Sequence, residues 1–199
     1  ATTFFKVGIL VIKKNSIINC GNSGTLVRLL TGLLAPYPSK FKLFGDYTLN
    51  KRPMTRIINP LKKFGMSFFP KNKTTLPFTV QGTEIATPIE WNEKIGSAQV
   101  KSSIILASLN TPGITKIIEI KKSRDHTENM LKYAGASLNI EKNKRYNLIS
   151  VKGLTDFRGF NLSVPGDISS AAFIIAITLL NKKSKIKIKN ICLNNSRIG

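Results

Sequence analysis

Three segments of the chain share one pattern of polar and apolar residues. Each begins with a few small polar residues, at Asn22, Ser97 and Asp167, and continues into a run of small and apolar residues. Runs of this kind predict helices that are buried on most of their surface. After a short break an alternating stretch follows each run, which predicts strands with one buried face at 41–44, 115–120 and 185–191.

A second pattern occurs twice, at a constant offset of 70 residues. The segments 61–67 and 131–137 share leucine, lysine, glycine and serine at matching places. Each closes an amphipathic helix, with Gly65 or Gly135 just past its end, where a left-handed residue is common. A β-hairpin is predicted after each helix, formed by 66–70 with 77–81 and by 136–141 with 146–152.

The two patterns combine into a unit of helix, strand, helix and hairpin with a period of about 70 to 75 residues. The chain holds about two copies and the start of a third. We therefore predict an α/β fold of βαβαββ units packed around a common axis, with the apolar helices inside and the lysine-bearing helices outside.

Composition narrows the possible classes of protein. The chain has 199 residues, and a hydrophobic fraction of 42% argues against disorder. The sequence contains no run of 18 or more apolar residues, so it predicts no membrane-spanning helix. Cys20 and Cys192 form no Cys-x-x-Cys motif and have only His126 as a possible nitrogen co-ligand. We expect no metal, no cofactor and a reducing compartment, the cytoplasm.

The charge is strongly positive. Thirty-one basic residues against 10 acidic ones give a net charge of +21, but 24 of the basic residues are lysines spread along the chain, clustered only at 182–189. Abundant lysine, isoleucine and asparagine together indicate A/T-rich coding. A basic nucleic-acid-binding α/β module is one interpretation, and a small anionic substrate fits the sign of the charge equally well.

The loops before the predicted inner helices are candidates for anion binding. Helix N-termini carry unpaired N–H groups and partial positive charge, and the small residues of 21–25 and 96–99 would let an anion approach closely. The acid of 165–167 suits an N-cap better. Any single loop is explained by helix capping, whereas two related loops facing one centre favour an anion site.

Two arginines occupy matching places in the two units. Arg52 lies just before Pro53, which is predicted to start a helix, and Arg124 precedes Asp125. If Asp125 caps its helix through its side chain, Arg124 is free to point inward. A guanidinium fork on a carboxylate or phosphate contributes about 1.5–3 kcal/mol; the alternative is a solvated surface arginine. His126 is interpreted as solvated or capping.

Six motifs carry a resemblance to a known family. They are Gly-Asn-Ser-Gly-Thr-Leu-Val-Arg at 21–28, Gly-Asp-Tyr-Thr-Leu-Asn-Lys-Arg-Pro-Met at 45–54, Ser-Ala-Gln-Val-Lys-Ser at 97–102, Asn-Thr-Pro-Gly-Ile-Thr at 110–115, Ser-Arg-Asp-His-Thr-Glu-Asn-Met-Leu at 123–131 and Pro-Gly-Asp-Ile-Ser-Ser-Ala-Ala-Phe at 165–173. From about residue 17 to 199 the chain resembles the 5-enolpyruvylshikimate-3-phosphate (EPSP) synthases, the 3-phosphoshikimate 1-carboxyvinyltransferases, in their bacterial class II branch.

The resemblance implies a fold and an activity. The family's enolpyruvyl transferase fold, an inside-out α/β barrel, has two similar domains of three βαβαββ units each. Residues 1–164 would be most of the N-terminal domain and 165–199 the start of the second, an incomplete two-domain architecture. The family transfers the enolpyruvyl group of phosphoenolpyruvate to the 5-hydroxyl of shikimate-3-phosphate and releases phosphate.

Substrate-binding residues also follow from the resemblance. Those implied for shikimate-3-phosphate, with Ser97 at its phosphate, are Ser97, Ala98, Gln99 and Arg124. Those implied for phosphoenolpyruvate are Gly24 and Arg52, with Asn22 and Thr25 lining the same loop. Glycine at position 24 implies a glyphosate-sensitive type, because a side chain there would intrude on the inhibitor.

The chain departs from the family pattern at both ends. The family's N-terminal Lys-Ser…Arg loop and its later catalytic Asp, Glu, Lys and Arg residues have no counterpart, so no catalytic residue is assigned and an internal fragment, inactive alone, is expected. Residues 1–16 are left unassigned. The expected partners are the two small substrates, without nucleic acid or membrane, for a monomer. The alternative of a UDP-N-acetylglucosamine enolpyruvyl transferase is disfavoured by Ser-Ala-Gln and Lys-Arg-Pro-Met.

Overall fold

The computed structural model describes residues 15–196. The unassigned segment 1–16 lies almost wholly outside them. The described chain divides into two compact units, 15–158 and 159–196. The division falls a few residues before the predicted domain boundary at 164/165, which stays a prediction. No helix among residues 15–196 has the length and apolar character needed to cross a membrane.

The first unit contains two copies of one βαβαββ arrangement, as predicted. The first copy consists of β1 (Ile17–Asn19), α1 (Gly24–Leu33), β2 (Lys40–Phe44), the short α2 (Tyr47–Asn50), α3 (Thr55–Lys63), β3 (Ser67–Phe69) and β4 (Phe78–Gln81). The second consists of β5 (Glu90–Glu93), α4 (Ala98–Ser108), β6 (Ile114–Glu119), α5 (His126–Tyr133), β7 (Leu138–Lys142) and β8 (Asn147–Lys152).

Each copy forms its own four-stranded sheet with the same topology. The strand orders are β1-β2-β4-β3 and β5-β6-β8-β7. In both sheets the first pair is parallel, because a helix crosses between the strands, and the other pairs are antiparallel. The two predicted hairpins are confirmed as β3–β4 and β7–β8.

The apolar helices α1 and α4 lie inside, as predicted. They pack so closely that a Cβ on Gly32 would lie 2.2 Å from the carbonyl oxygen of Ser103. The lysine-bearing helix α3 instead buries one face, including Ile57 and Leu61, and exposes the lysines of its last turn. The core thus forms between the helices and one face of each sheet, which fixes the N-termini of α1 and α4 as neighbours.

The predicted helix ends are confirmed in part. Gly65 and Gly135 have φ of +102° and +90°, which confirms the left-handed positions after α3 and α5. The start of α3 at Pro53 was wrong: the helix begins at Thr55, because Met54, with φ of −114° and ψ of 2°, has a non-helical backbone and occupies the N-cap position. The Met54 N–H, which has no acceptor within the helix, donates to the carbonyl of Thr74 at 2.7 Å.

The predicted side-chain cap by Asp125 was also wrong. Asp125 does occupy the N-cap position of α5, but its side chain accepts no capping hydrogen bond. Its φ and ψ of −112° and 22° differ from the extended backbone that aims an N-cap carboxylate at the first turn.

The second unit, 159–196, contains one helix, α6 (Ile168–Leu180), among its described residues. Asp167 caps it as predicted, accepting from the Ser169 N–H at 3.1 Å. The prediction that this apolar run would be a mostly buried helix was wrong: only Ala171 of α6 is buried, because residues 159–196 contain no other helix or strand that could cover it. The predicted strand at 185–191 was wrong: within residues 15–196 it pairs only through Ile191, in an isolated bridge to Gly166. An alternating stretch forms a strand only where a partner can accept and donate its backbone hydrogen bonds.

Candidate functional site

The N-terminus of α1 brings a buried glycine beneath two arginines. Ser23 caps the helix, accepting from the Leu26 N–H at 3.1 Å, and Gly24 follows as the first helical residue. A Cβ on Gly24 would lie 3.1 Å from Nη1 of Arg28 and 3.2 Å from Nη1 of Arg52. Two guanidinium groups therefore converge over a position where only hydrogen fits without displacement.

This pair of cations has no carboxylate of its own among the described residues. Arg28 donates to the amide oxygen of Gln99 at 2.6 Å, and Arg52 donates to that of Asn22 at 2.9 Å. Burial, and then the nearby charges of Arg52 and Arg56, lower the pKa of Arg28, although a guanidinium stays protonated. The site keeps its positive charge and can accept an anion.

Gln99 joins the two repeats at this point. It is the second residue of α4, and while its oxygen accepts from Arg28 its Nε2 donates to Thr25 Oγ1 at 2.7 Å. One amide thus bridges residues more than seventy positions away in sequence. The N-termini of the two inner helices are held as a single surface.

Asn22 is oriented by an acid on the other side of the loop. Its Nδ2 donates to Asp46 Oδ2 at 2.6 Å and to Thr48 Oγ1 at 2.7 Å, which leaves its oxygen turned to Arg52. Hydrogen bonds from the Leu49 N–H, from Thr48 and from Asn22 lower the pKa of Asp46, so it stays ionised as an acceptor. We call the connected set the Gly24 cluster; it consists of Asn22, Gly24, Thr25, Arg28, Arg52 and Gln99.

The buried acid Glu93 anchors the loop before α4. Ser97 caps α4, accepting from the Val100 N–H at 3.4 Å. The Glu93 carboxylate at the end of β5 accepts from the N–H groups of Ile95 at 3.1 Å and Ser97 at 3.4 Å. Ala98 is the first residue of α4 and is half-buried, so its small side chain leaves the helix N-terminus accessible.

Arg124 lies on the loop next to Ser97. The two loops touch, since a Cβ on Gly96 would lie 2.9 Å from Cγ of Lys121. The Arg124 side chain is exposed, and no hydrogen bond links it to the Gly24 cluster within residues 15–196. The structure therefore connects Asn22, Gly24, Thr25, Arg52 and Gln99 directly, places Ser97 and Ala98 on the same helix end as Gln99, and leaves Arg124 on the adjoining loop.

Sequence reasoning missed Arg28 as a site residue. It stands within the motif at 21–28 and is the one charged residue of α1. A lone arginine one turn after a glycine at a helix N-terminus was the available signal, because positions i and i+4 share a helix face.

It also missed a buried ion cluster formed by Lys101, Glu119 and Glu128. The Nζ of Lys101 lies 2.8 Å from Glu119 Oε1 and 2.6 Å from Glu128 Oε1, and all three side chains are at most 2% exposed. The available signal was the alternation of β6, which places Glu119 on the same buried face as Thr115 and Ile117.

The two acids of this cluster have opposite pKa directions. Burial raises the pKa of Glu119, but hydrogen bonds from Lys101, Ser123 and Asn147 outweigh it, and the net pKa is lowered. Burial raises the pKa of Glu128, and Lys101 only partly opposes it. The environment therefore favours the ionised form of Glu119 more than that of Glu128. No group of three or more metal-binding side chains occurs within the described part of the chain.

Comparison with known proteins gives one consistent result. The family model for EPSP synthase (3-phosphoshikimate 1-carboxyvinyltransferase) matches residues 6–199. The 3-phosphoshikimate 1-carboxyvinyltransferase of Bartonella tribocorum is 46% identical over 183 residues, which are 92% of this chain and 41% of that protein. That of Zymomonas mobilis is 45% identical over 193 residues, 97% of this chain and 42% of that protein.

A solved structure agrees with the sequence relatives. The EPSP synthase of Acinetobacter baumannii superimposes with a TM-score of 0.78 at 35% identity, covering 90% of this chain and 40% of that one. The chain therefore spans about two fifths of the length of the relatives it matches.

Proposed function

The chain belongs to the EPSP synthase family, and from this premise we propose that it forms part of the substrate site of a 3-phosphoshikimate 1-carboxyvinyltransferase. In that reaction the 5-oxygen of shikimate-3-phosphate bonds to C2 of phosphoenolpyruvate. The bond from C2 to the phosphate oxygen breaks, and inorganic phosphate leaves. The proton of the 5-hydroxyl is released with the products.

The Gly24 cluster is the proposed phosphoenolpyruvate side of the site. The observation that carries the proposal is the convergence of Arg28 and Arg52 over Gly24, with amides instead of carboxylates as their partners. Phosphoenolpyruvate carries a carboxylate and a phosphate, which suit bidentate guanidinium donors. The missing Cβ lets the anion approach both arginines and the N-terminus of α1.

The N-terminus of α4 is the proposed shikimate-3-phosphate side. Ser97, Ala98 and Gln99 open the helix, where N–H groups and the helix dipole favour a phosphate, and Arg124 adds a full positive charge from the adjoining loop. Gln99 also contacts Arg28, so one residue lies between the two proposed subsites. Two anions that repel each other must be held close together, and fixed positive groups offset that repulsion.

Binding by the ¹⁵N-labelled 199-residue chain tests the proposal. Titrations would use shikimate-3-phosphate and phosphoenolpyruvate up to millimolar concentrations, with UDP-N-acetylglucosamine as the competing ligand. We expect shikimate-3-phosphate to shift the amide resonances of Ser97, Ala98 and Gln99, and phosphoenolpyruvate to shift those of Gly24 and Thr25.

A matched pair of variants makes the test specific. Arg52→Met should weaken phosphoenolpyruvate binding by about 10- to 100-fold, the equivalent of one charge-assisted hydrogen bond, whereas Arg145→Met, at an exposed turn, should change nothing. Equal losses of phosphoenolpyruvate affinity in both variants would show that the ligand responds to the net positive charge of the chain and not to Arg52, which would overturn the proposal. Shifts with UDP-N-acetylglucosamine alone would identify the sister transferase instead. Steeply salt-dependent binding of any duplex would favour the nucleic-acid module.

Two finer expectations belong to the same proposal. We infer that the protein acts in the cytoplasm and as a monomer, with the two phosphorylated metabolites as its partners. Sedimentation of the chain at two protein concentrations that differ about tenfold would reveal a dimer as an increase in mass at the higher concentration.

A further inference from the structure

A buried ion cluster lies directly behind the loop that carries Arg124. Lys101 of α4, Glu119 at the end of β6 and Glu128 of α5 form it, and none of them belongs to the Gly24 cluster. Burying three charges is unfavourable, and apolar replacements of such clusters are often as stable. Stability alone therefore does not account for this arrangement.

Glu119 directs half of its hydrogen bonds to one loop residue. Its Oε1 accepts from Lys101, from the Ser123 N–H at 2.9 Å and from Ser123 Oγ at 2.6 Å, while its Oε2 accepts from Asn147 at 3.0 Å. Ser123 immediately precedes Arg124 in the chain. The carboxylate thus fixes the backbone from which the Arg124 side chain extends.

The neighbouring strand ends in the same way. Glu93 is paired with Glu119 in the register of β5 and β6, is also buried, and accepts from the N–H of Ser97. Two carboxylates side by side therefore each hold the loop that follows their own strand. One loop leads to Ser97 and the other to Arg124. The adjacent carboxyl ends of β5 and β6 therefore set the relative position of these two residues.

We propose that Glu119 is a positioning residue that acts through Ser123 to hold Arg124 toward the phosphate of shikimate-3-phosphate. Lys101 supplies the counter-charge that keeps the Glu119 carboxylate an acceptor, and Glu128 holds Lys101 from α5. The inference rests on the proposed function, because it takes Arg124 as a ligand of shikimate-3-phosphate.

A double-mutant cycle on the 199-residue chain tests this role. The dissociation constant for shikimate-3-phosphate would be measured by NMR titration for Glu119→Gln, Arg124→Met and the double variant. Glutamine keeps the shape but offers a single acceptor oxygen for the donors that the carboxylate satisfied. We expect Glu119→Gln to weaken binding about tenfold with Arg124 present and to have no further effect in the Arg124→Met background.

Asn147→Ala provides the matched control, since it removes a partner of Glu119 that lies on β8 and not on the loop. It should leave the dissociation constant unchanged. If Glu119→Gln does not fold, Glu119→Asp replaces it in the cycle, because it keeps the charge near Lys101 but shortens the reach to Ser123.

The outcomes separate the inference from its premise. Equal weakening by the Glu119 substitution with and without Arg124 would show a general structural effect and would overturn the inference alone, and so would weakening by Asn147→Ala as large as that by Glu119→Gln. An unchanged dissociation constant for Arg124→Met would overturn the assignment of Arg124, and with it the inference.

Discussion

Replacing the buried Lys101 by methionine should destabilise the chain more than the same replacement of any exposed lysine. Methionine preserves most of the volume and removes the charge, so the change isolates electrostatics from packing. In the structure it would leave Glu119 and Glu128 facing each other in the core without their cation.

The expected magnitude follows from the burial of the cluster. Removing one partner of a buried ion pair costs about 3–5 kcal/mol, and here all three side chains are at most 2% exposed, so solvent screens them little. Typical domains have a free energy of unfolding of about 5–15 kcal/mol. Lys101→Met would thus remove a large share of the stability, and adding Glu128→Gln should restore part of it by removing one of the two facing charges.

The loss of stability should depend on pH. Without Lys101, burial raises the pKa of both carboxyls above the unfolded value of about 4.3. A carboxyl with a raised folded pKa stabilises the fold at low pH and loses that contribution as pH rises through the folded value. In the wild type Glu119 has the opposite sign, because its pKa is lowered. The difference between variant and wild type should therefore be larger at about pH 8 than at about pH 5.

Chemical denaturation at both pH values measures this. The control is Lys116→Met, which removes an equal charge from the exposed face of the same strand, β6, and should change the free energy of unfolding by less than about 0.5 kcal/mol. A loss for Lys101→Met that is below about 1 kcal/mol and the same at both pH values would refute the reasoning.

Two further predictions concern glycines of α1 and share Gly159→Ala as control, since a Cβ at Gly159 meets nothing within 4 Å. Gly32→Ala places a Cβ 2.2 Å from the Ser103 carbonyl oxygen and should lower the free energy of unfolding by about 1–3 kcal/mol, which thermal denaturation would detect; a gain would contradict the close packing of α1 and α4. Gly24→Ala should leave stability within about 1 kcal/mol yet weaken phosphoenolpyruvate binding about tenfold or more, because both guanidiniums must shift; unchanged binding in calorimetry would show that they can yield freely.

Much of the fold could be predicted because its signals are local. The alternating stretches at 41–44 and 115–120, the hairpins, and the glycines after α3 and α5 each depend on residues within a few positions of one another. The same reasoning failed at 185–191, where alternation is present but the described residues offer only Gly166 as a partner. It failed at Pro53 as well, since Met54, whose N–H bonds to the distant carbonyl of Thr74, has a non-helical backbone and becomes the N-cap of α3.

The candidate site was likewise predictable where its signals are local and unpredictable where distant residues meet. The sequence by itself determined the repeat, the small-residue loops before α1 and α4, the family, and most of the residues proposed to bind substrate. Tertiary structure alone decided that Gln99 contacts Arg28 and Thr25, and that Lys101 is buried between two acids while the other lysines of residues 15–196 are exposed or half-buried. The physical reason is that capping and periodicity act within one turn or one strand, whereas the partner of a charge is whichever group packing brings within about 3 Å.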